Sequence, residues 1–285
     1  MLHRSTIQLL RFHFSFFLLP VFLFALSQLP QVAWFDAAWL FFILHFLVYP
    51  SSNGYNSFMD RDETPIGGLA RPLQPTRQLF YVSVLMDALA VLAAILISWM
   101  TALGILFYIL ASRAYSYRGI RLKRHPVIGF LTVFIFQGAL VFYITYHGCH
   151  PQQPLAMPLL PCVIASLLIG SLYPLTQIYQ HEEDKRDGVI TISYMLGKRG
   201  TFLLSMGQFL LATSLFYLLF RRQDQVNYFV LYLLILLPVV LFFLYWMRSV
   251  WQNEEAASFK NSLKMNAVST FCTTAFFTTL IILNH

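Results

Sequence analysis

The acidic residues of this chain are concentrated in two short segments. Seven of its 12 Asp and Glu residues lie there: Asp60, Asp62 and Glu63 in the first segment, and Glu182, Glu183, Asp184 and Asp187 in the second. Each segment also carries side-chain amides at a matching spacing. An amide, a second amide three residues later and an aspartate four residues after that recur as Asn53, Asn56 and Asp60, and again as Gln177, Gln180 and Asp184. On a continuous helix these positions share one face.

Amide and carboxylate oxygens are hard ligands of the kind that Mg²⁺ prefers. Two such sets in one chain indicate two clamps on a single ligand, and they suggest an internal duplication. The candidate metal ligands are Asn56, Asp60, Asp62, Glu63, Gln180, Glu183, Asp184 and Asp187. The alternative is that these acids only balance nearby basic loops, but the matched spacing disfavours it.

Basic residues accompany both acidic segments. Arg71 follows the first segment, Arg121 and Lys123 lie in a basic loop between the two, and Lys185 lies inside the second. Metal-binding carboxylates beside Arg and Lys are typical of a site that holds a phosphate or a diphosphate. The alternative for the basic loop is that its charges only set the membrane topology.

The elements that carry these residues are membrane-spanning helices. Charged residues make up 11% of the 285 residues, and hydrophobic residues 58%. This composition excludes an ordinary soluble enzyme, a disordered chain and a DNA-binding domain. Nine long apolar runs without period-2 alternation predict an all-α, polytopic bundle and a single domain over 1–285. They lie near 8–28, 32–50, 79–99, 101–117, 127–147, 155–177, 201–220, 226–247 and 265–283.

The distribution of the 19 basic residues predicts the orientation of these spans. With alternating loops, Arg221 and Arg222 lie on one side and the other basic residues lie opposite. The positive-inside rule then places the N-terminus and both acidic segments in the cytoplasm and the C-terminus outside. The net charge of +7 is therefore a topology signal, not a sign of a nucleic-acid partner. We expect a prokaryotic plasma membrane, with the first run retained as a helix.

Several residues have two interpretations. Each acidic segment follows a span, so we expect its acids on a helix extension or at a helix C-terminus, where they oppose the helix dipole unless a cation binds. Asp87 lies within the third run and indicates either a functional intramembrane acid or a bond between helices. The three Cys residues form no disulfide framework.

These motifs resemble the UbiA-type family of intramembrane polyprenyltransferases over nearly the whole chain. Asn56 and Asp60 match the start of the family's Asn-x₃-Asp-x₃-Asp motif, but Thr64 occupies its third position, which leaves Asp62 or Glu63 as the substitute. Further matches are Arg71-Pro72-Leu73, the stretch from Tyr115 to Lys123, and Asp184 to Gly188 with Thr191; Arg118-Gly119 stands where members often have Pro-Pro.

The resemblance implies Mg²⁺-dependent transfer of a polyprenyl group from its diphosphate to a membrane-accessible, often aromatic, acceptor with release of pyrophosphate. It implies that Arg71, Arg121, Lys123 and Lys185 bind the diphosphate. It also implies that Arg71, Tyr115, Arg121 and Lys123 act in catalysis. The three cationic side chains would stabilise the leaving group, and Tyr115 would lie beside the allylic cation.

Other functions remain open from the sequence. A transporter or channel would place charges near the bilayer midplane, and Asp87 is the residue that keeps this alternative open. A phosphatidyl-alcohol transferase would carry an Asp-x₂-Asp-Gly-x₂-Ala-Arg pattern, which this chain lacks. A family member with altered catalysis is supported by Thr64 alone.

Overall fold

The computed structural model of the chain describes residues 2–285. Within that range the regular secondary structure is helical, apart from one isolated bridge between Ile66 and Leu69. The all-α prediction is confirmed. In chain order the helices are α1 (Arg4–Ser27), α2 (Trp34–Asp60), α3 (Arg77–Ile95), α4 (Trp99–Ser116), α5 (Pro126–Gly148), α6 (Leu159–Gln177), α7 (His181–Arg186), α8 (Ile192–Arg222), α9 (Val226–Gln252) and α10 (Phe259–Asn284).

Eight of these helices, all except α4 and α7, are long and apolar enough to cross a membrane. The chain is therefore an integral membrane protein. The fourth predicted run coincides with α4, which has 18 residues and carries Ser112, Arg113 and Ser116 in its last turns. These polar side chains make α4 less apolar than its neighbours, so the count of nine spans stays a prediction.

The interior of the bundle is rich in aromatic rings. Phe24 of α1 lies 4.9 Å from Phe142 of α5, 5.2 Å from Phe216 of α8 and 4.9 Å from Phe277 of α10, measured between ring centroids. All four rings are buried. In a bilayer the outside is as apolar as the inside, so this packing stabilises the bundle through close contact between rings more than through exclusion of water.

Small residues let α5 and α6 approach closely. A Cβ atom added at Gly138 of α5 would lie 2.4 Å from the Cα atom of Ser166 of α6, which is closer than two carbon atoms can pack. The hydroxyl of Ser166 also accepts a hydrogen bond from the backbone N–H of Ala139 at 3.0 Å. Small side chains and such interhelical hydrogen bonds are typical of membrane helix contacts.

Polar side chains connect α2 to α4. The hydroxyl oxygens of Ser52 and Ser112 lie 2.5 Å apart, and one turn further along both helices Asn56 Nδ2 donates to Ser116 Oγ at 3.0 Å. Both contacts fix the register of the two helices. Asn56 is therefore held in place by α4 before any ligand binds.

Asp87 of α3 belongs to a separate polar cluster. Arg113 of α4 forms an ion pair with it and donates from Nε to Asp87 Oδ2 at 2.9 Å, while Ser51 Oγ of α2 donates to Oδ1 at 2.5 Å. From the sequence, Asp87 indicates either a functional intramembrane acid or a bond between helices, and these contacts favour the second interpretation. The acid joins three helices and does not line the cavity described below.

Candidate active site

The first acidic segment lies at the C-terminal end of α2. This helix continues to Asp60, ten residues beyond the predicted run, so Asn53, Asn56 and Asp60 lie on successive turns of one helix. It ends there because Arg61 adopts a left-handed conformation (φ 58°), which cannot continue a right-handed helix. The side chain of Asp60 is only 4% exposed.

The second acidic segment has a different conformation, and the expectation of one continuous helix is wrong there. Helix α6 ends at Gln177, and Gln180 precedes the separate short helix α7. Glu182, Glu183 and Asp184 occupy the first turn of α7. Acids at that position interact favourably with the helix dipole, so the expectation that both acidic segments oppose a dipole holds for Asp60 and is wrong for these three.

A cavity of about 260 Å³ lies between the two acidic segments. Most of the predicted ligands reach it. Its lining includes Asn56, Asp60, Asp62, Tyr115, Lys123, Gln180 and Asp184. We call the part of the cavity formed by Asp60, Asp62, Lys123 and Asp184 the charged end.

The basic loop supplies cations to the charged end. Lys123, in the single 3₁₀ turn Leu122–Arg124, forms an ion pair with Asp60. Arg121 is 8% exposed and lies 3.6 Å from Asp60 Oδ1 through its Nη2 atom; the same nitrogen forms an ion pair with Asp187. Arg121 adopts a left-handed conformation (φ 51°) that starts the 3₁₀ turn.

Other predicted site residues lie away from the cavity lining. Arg71 and Lys185 are exposed, and the Arg71 carbonyl accepts a hydrogen bond from Gln8 Nε2 at 3.2 Å. Glu63 is exposed and donates its backbone N–H to Glu183 Oε1 at 3.2 Å. The carboxylate of Asp187 forms an ion pair with Arg121.

Glu183 lines a second pocket, together with Thr64. Of the acids that could replace the one missing at Thr64, Asp62 lines the main cavity and Glu63 does not. The side chain of Asp62 is therefore the one near Asp60 and Asp184.

The charged end holds buried carboxylates that repel one another. Burial, together with the neighbouring carboxylates, raises the pKa of Asp62 and of Asp184 to about 7 in each case, although Lys123 opposes the shift. Two buried carboxylate oxygens of the charged end also have no hydrogen-bond partner: Asp60 Oδ1 and Asp184 Oδ2. A cation bound between them would relieve both costs.

The donor set fits Mg²⁺, since it consists of carboxylate and amide oxygens. Among residues 2–285, no three His, Cys, Asp or Glu side chains form a ready metal cluster. Asn56 and Asp60 face Gln180 and Asp184 across the cavity instead. An arrangement of this kind leaves space between the carboxylates for a ligand that is itself an oxygen donor, such as a diphosphate.

Sequence reasoning missed Arg11, which it counted only as a topology signal. Arg11 interrupts α1 with a left-handed conformation (φ 49°) and is 6% exposed. It donates to the carbonyls of Gly67 at 3.2 Å and Asn53 at 3.1 Å, its Nε has no partner, and it lines the cavity. The sequence did carry a signal for Arg11, because a charged residue seven positions after the start of an otherwise apolar helix is a candidate for function.

The walls beyond the charged end are mostly apolar and aromatic. Tyr115 lies there, and its hydroxyl is hydrogen bonded to that of Tyr173, which also accepts from Gln177 Nε2 at 2.8 Å. The apolar lining residues include Phe14, Phe17, Leu18, Val133, Phe136, Ile169 and Leu172. The cavity thus combines a charged end for an anion with apolar walls for a hydrocarbon.

Comparisons with known proteins identify a family and similar folds. The family model of the UbiA prenyltransferase family matches residues 17–269. No curated protein matches the chain.

Among solved structures, a UbiA homologue from Archaeoglobus fulgidus bound to GPP and Mg²⁺ is similar to the chain with a TM-score of 0.69 and 18% identity, over 98% of this chain and 99% of that one. The apo structure of a UbiA homologue from Aeropyrum pernix K1 has a TM-score of 0.69 and 18% identity, over 94% and 97%. A structure of digeranylgeranylglyceryl phosphate synthase has a TM-score of 0.61 and 16% identity, over 98% and 97%. At these identities the likeness concerns the fold.

Proposed function

Because the chain belongs to the UbiA prenyltransferase family, we propose that it transfers a prenyl group from a prenyl diphosphate to a membrane-accessible acceptor and releases pyrophosphate. The observation that carries this proposal is the convergence of Asp60, Asp62 and Asp184 with Lys123 at one end of an apolar cavity. The similar homologue from Archaeoglobus fulgidus was solved with GPP and Mg²⁺. Such a ligand has an anionic diphosphate, which suits the charged end, and an apolar prenyl chain, which suits the apolar walls.

Asn56 and Asp60 on one side, and Asp184 with Gln180 on the other, would hold Mg²⁺ together with the diphosphate. The metal, when bound, supplies positive charge that neutralises the diphosphate and stabilises it as a leaving group. Asp62 lies near both sides and takes the place of the acid that is missing at Thr64.

The chain's own cations act on the leaving group. As the C1–O bond breaks, both of its electrons stay on the diphosphate oxygen, and Lys123 stabilises the charge that develops there. Arg121 holds Asp187 and approaches Asp60, so it orients the acidic residues. The predicted roles of Arg71 and Lys185 on the diphosphate receive no support from their exposed positions.

The cavity interior then receives the allylic cation. Its apolar and aromatic walls exclude water, which would otherwise capture the cation. The paired hydroxyls of Tyr115 and Tyr173 place both rings at the wall, where their π faces can stabilise positive charge. The acceptor forms the new bond to C1 with its own electron pair and loses a proton to the released pyrophosphate.

We propose the topology that the sequence predicts: N-terminus and charged end in the cytoplasm, C-terminus outside, in a prokaryotic plasma membrane, with one domain over 1–285. The transporter alternative depended on Asp87, which pairs with Arg113 and lies outside the cavity lining. The altered-catalysis alternative depended on Thr64, and the position of Asp62 in the cavity lining disfavours it.

The test is transfer by the purified protein with Mg²⁺, prenyl diphosphates of several lengths and a panel of acceptors, read by mass spectrometry. Asp60→Ala and Asp184→Ala are each expected to lose nearly all Mg²⁺-dependent transfer. Glu255→Gln, at an exposed carboxyl outside the cavity, is the matched control and should keep wild-type activity. Full activity in either alanine variant would refute the two-clamp arrangement, and no pyrophosphate release by the wild type would refute the proposed function.

A further inference from the structure

The end of the cavity farthest from the acids is polar. It is formed by Tyr49, Tyr108 and Gln137, which we call the deep end. Tyr49 lies eleven residues before Asp60 on α2, and Gln137 lies eleven residues after the start of α5. At a rise of 1.5 Å per residue both side chains lie about 16 Å from the charged ends of their helices.

One hydroxyl at the deep end has no partner. Tyr49 is 2% exposed, and its Oη atom forms no hydrogen bond, while its ring lies 5.8 Å from that of Tyr108. The side chains of Ser52 and Gln137 approach the Tyr108 hydroxyl. A buried hydroxyl without a partner is costly, and such groups in native proteins call for an explanation such as a ligand.

The helices that form the deep end are irregular at this depth. The segment Ile43–Val48 of α2, directly before Tyr49, is π-helical, and so is Phe134–Leu140 of α5, which contains Gln137. A π-helical turn is rare and frequently marks a functional site. The two π-helical segments lie on different helices, one directly before Tyr49 and the other around Gln137.

A prenyl tail cannot satisfy the Tyr49 hydroxyl, because a hydrocarbon neither donates nor accepts hydrogen bonds. The ligand that reaches the deep end must have an apolar body with a polar group at its far end. Among the described cavity-lining residues, the Arg and Lys side chains are Arg11 and Lys123, and these bond backbone carbonyls and Asp60 nearer the charged end. A carboxylate at the deep end would therefore be buried without a counter-charge.

We propose that the deep end binds a neutral polar substituent of the acceptor, such as a hydroxyl or a carbonyl, through Tyr49 and Gln137. This inference rests on the proposed function, because it assigns the acceptor to the same cavity. The acceptor's nucleophilic atom then lies toward the charged end, where C1 of the prenyl diphosphate is held. The deep end thereby selects acceptors by their distal group.

The experiment measures acceptor binding without turnover. The full-length protein in nanodiscs is loaded with Mg²⁺ and geranyl S-thiolodiphosphate, and three phenols are titrated by calorimetry: p-cresol, 4-hydroxybenzyl alcohol and 4-hydroxybenzoate. They share a ring and differ in the group opposite the hydroxyl. We expect the alcohol to bind about tenfold more tightly than either of the others, since a site built to hydrogen bond a substituent rejects analogues that lack it.

The variants Tyr49→Phe and Gln137→Met keep shape and remove hydrogen-bonding groups, and each should reduce the preference for the alcohol over p-cresol to within about twofold. Tyr232→Phe is the control, because Tyr232 is equally buried, bonds Thr213 and does not line the cavity. Melting temperatures check that each variant is folded.

Several results would overturn the inference. They are equal affinity for the three phenols, tightest binding of the carboxylate, no binding of any phenol to the loaded protein, or a preference that survives both substitutions. Failure of the wild type to bind Mg²⁺ and the thiolodiphosphate would instead count against the proposed function itself.

Discussion

Neutralising one partner of the Asp87–Arg113 ion pair should destabilise the helix bundle strongly, and neutralising both should cost no more than neutralising one. The two side chains are 13% and 16% exposed. Ser51 donates to Asp87 at 2.5 Å, and the Arg113 guanidinium lies 4.0 Å from the ring centroid of Tyr55. Asp87→Asn therefore leaves a buried guanidinium without a counter-charge, and Arg113→Gln leaves a buried carboxylate.

The expected magnitude follows from this burial. Breaking a buried pair by removing one charge costs about 3–5 kcal/mol. Because Ser51 and Tyr55 still contact the remaining charge, we expect the lower value, about 3 kcal/mol, for each single variant. The double variant leaves no buried charge and replaces the ion pair with two neutral amides that can bond each other, so its cost should not exceed that of a single variant, about 3 kcal/mol. The magnitude of the coupling free energy is then at least about 3 kcal/mol, whereas additive effects would give about zero.

The assay is reversible unfolding in mixed micelles followed by the fluorescence of the five Trp residues. The Lys198–Glu254 pair is the control cycle: its side chains are 29% and 59% exposed and its charged atoms lie 3.8 Å apart. A coupling below about 1 kcal/mol is expected for it. An additive Asp87–Arg113 cycle, or single variants that lose less than about 1 kcal/mol, would refute the argument that this pair is a buried clamp on α2, α3 and α4.

Three further predictions concern the site and the packing around it. Lys123→Met should lower the transfer rate about 10²- to 10³-fold, because it removes the cation beside the leaving group; a value of kcat/KM within threefold of wild type would contradict this role. Because the pKa of Asp62 and of Asp184 is raised to about 7, each carboxyl is increasingly protonated below pH 7. Mg²⁺ affinity should therefore fall as the pH drops from 8 to 6, and binding near pH 6.5 should release protons. Calorimetry in two buffers of different ionisation enthalpy measures both effects, and a pH-independent affinity would contradict the prediction. Gly138→Ala should destabilise the protein by about 1–3 kcal/mol, because its Cβ would lie 2.4 Å from the backbone of α6. Gly207→Ala, where nothing lies within 4 Å, should instead stabilise it by about 0.5–1 kcal/mol, and equal shifts in the unfolding midpoint would refute the packing argument.

Much of the fold could be predicted from the sequence because its signals are local. Apolar runs long enough to span a bilayer identify the helices without knowledge of their partners, and the family resemblance, carried by short motifs, is confirmed by the match over residues 17–269. Helix ends were harder. The predicted apolar run ends near residue 50 and left open whether the helix continues; the polar stretch up to Asp60 is helical because it faces a cavity and α4 instead of lipid.

The candidate site was predictable as a set of residues but not as an arrangement. Asp60, Asp184 and Lys123 were identified from residue type and spacing, and all three line the cavity. Arg71 and Lys185 were expected beside them because they are close in the chain. Both are exposed, because neither the loop after Asp60 nor the outer face of α7 turns them inward.

The sequence by itself determined the class of protein, the helical elements and the pairing of acidic segments with basic residues, since composition and periodicity act within a few turns of chain. Only the tertiary structure decided that Arg121 holds Asp187, that Asp87 is neutralised by Arg113, and that Tyr49 and Gln137 line the same cavity. The members of these pairs lie 26 to 88 positions apart in the chain. Whether such residues meet depends on how whole helices pack, and no local pattern in the sequence encodes that packing.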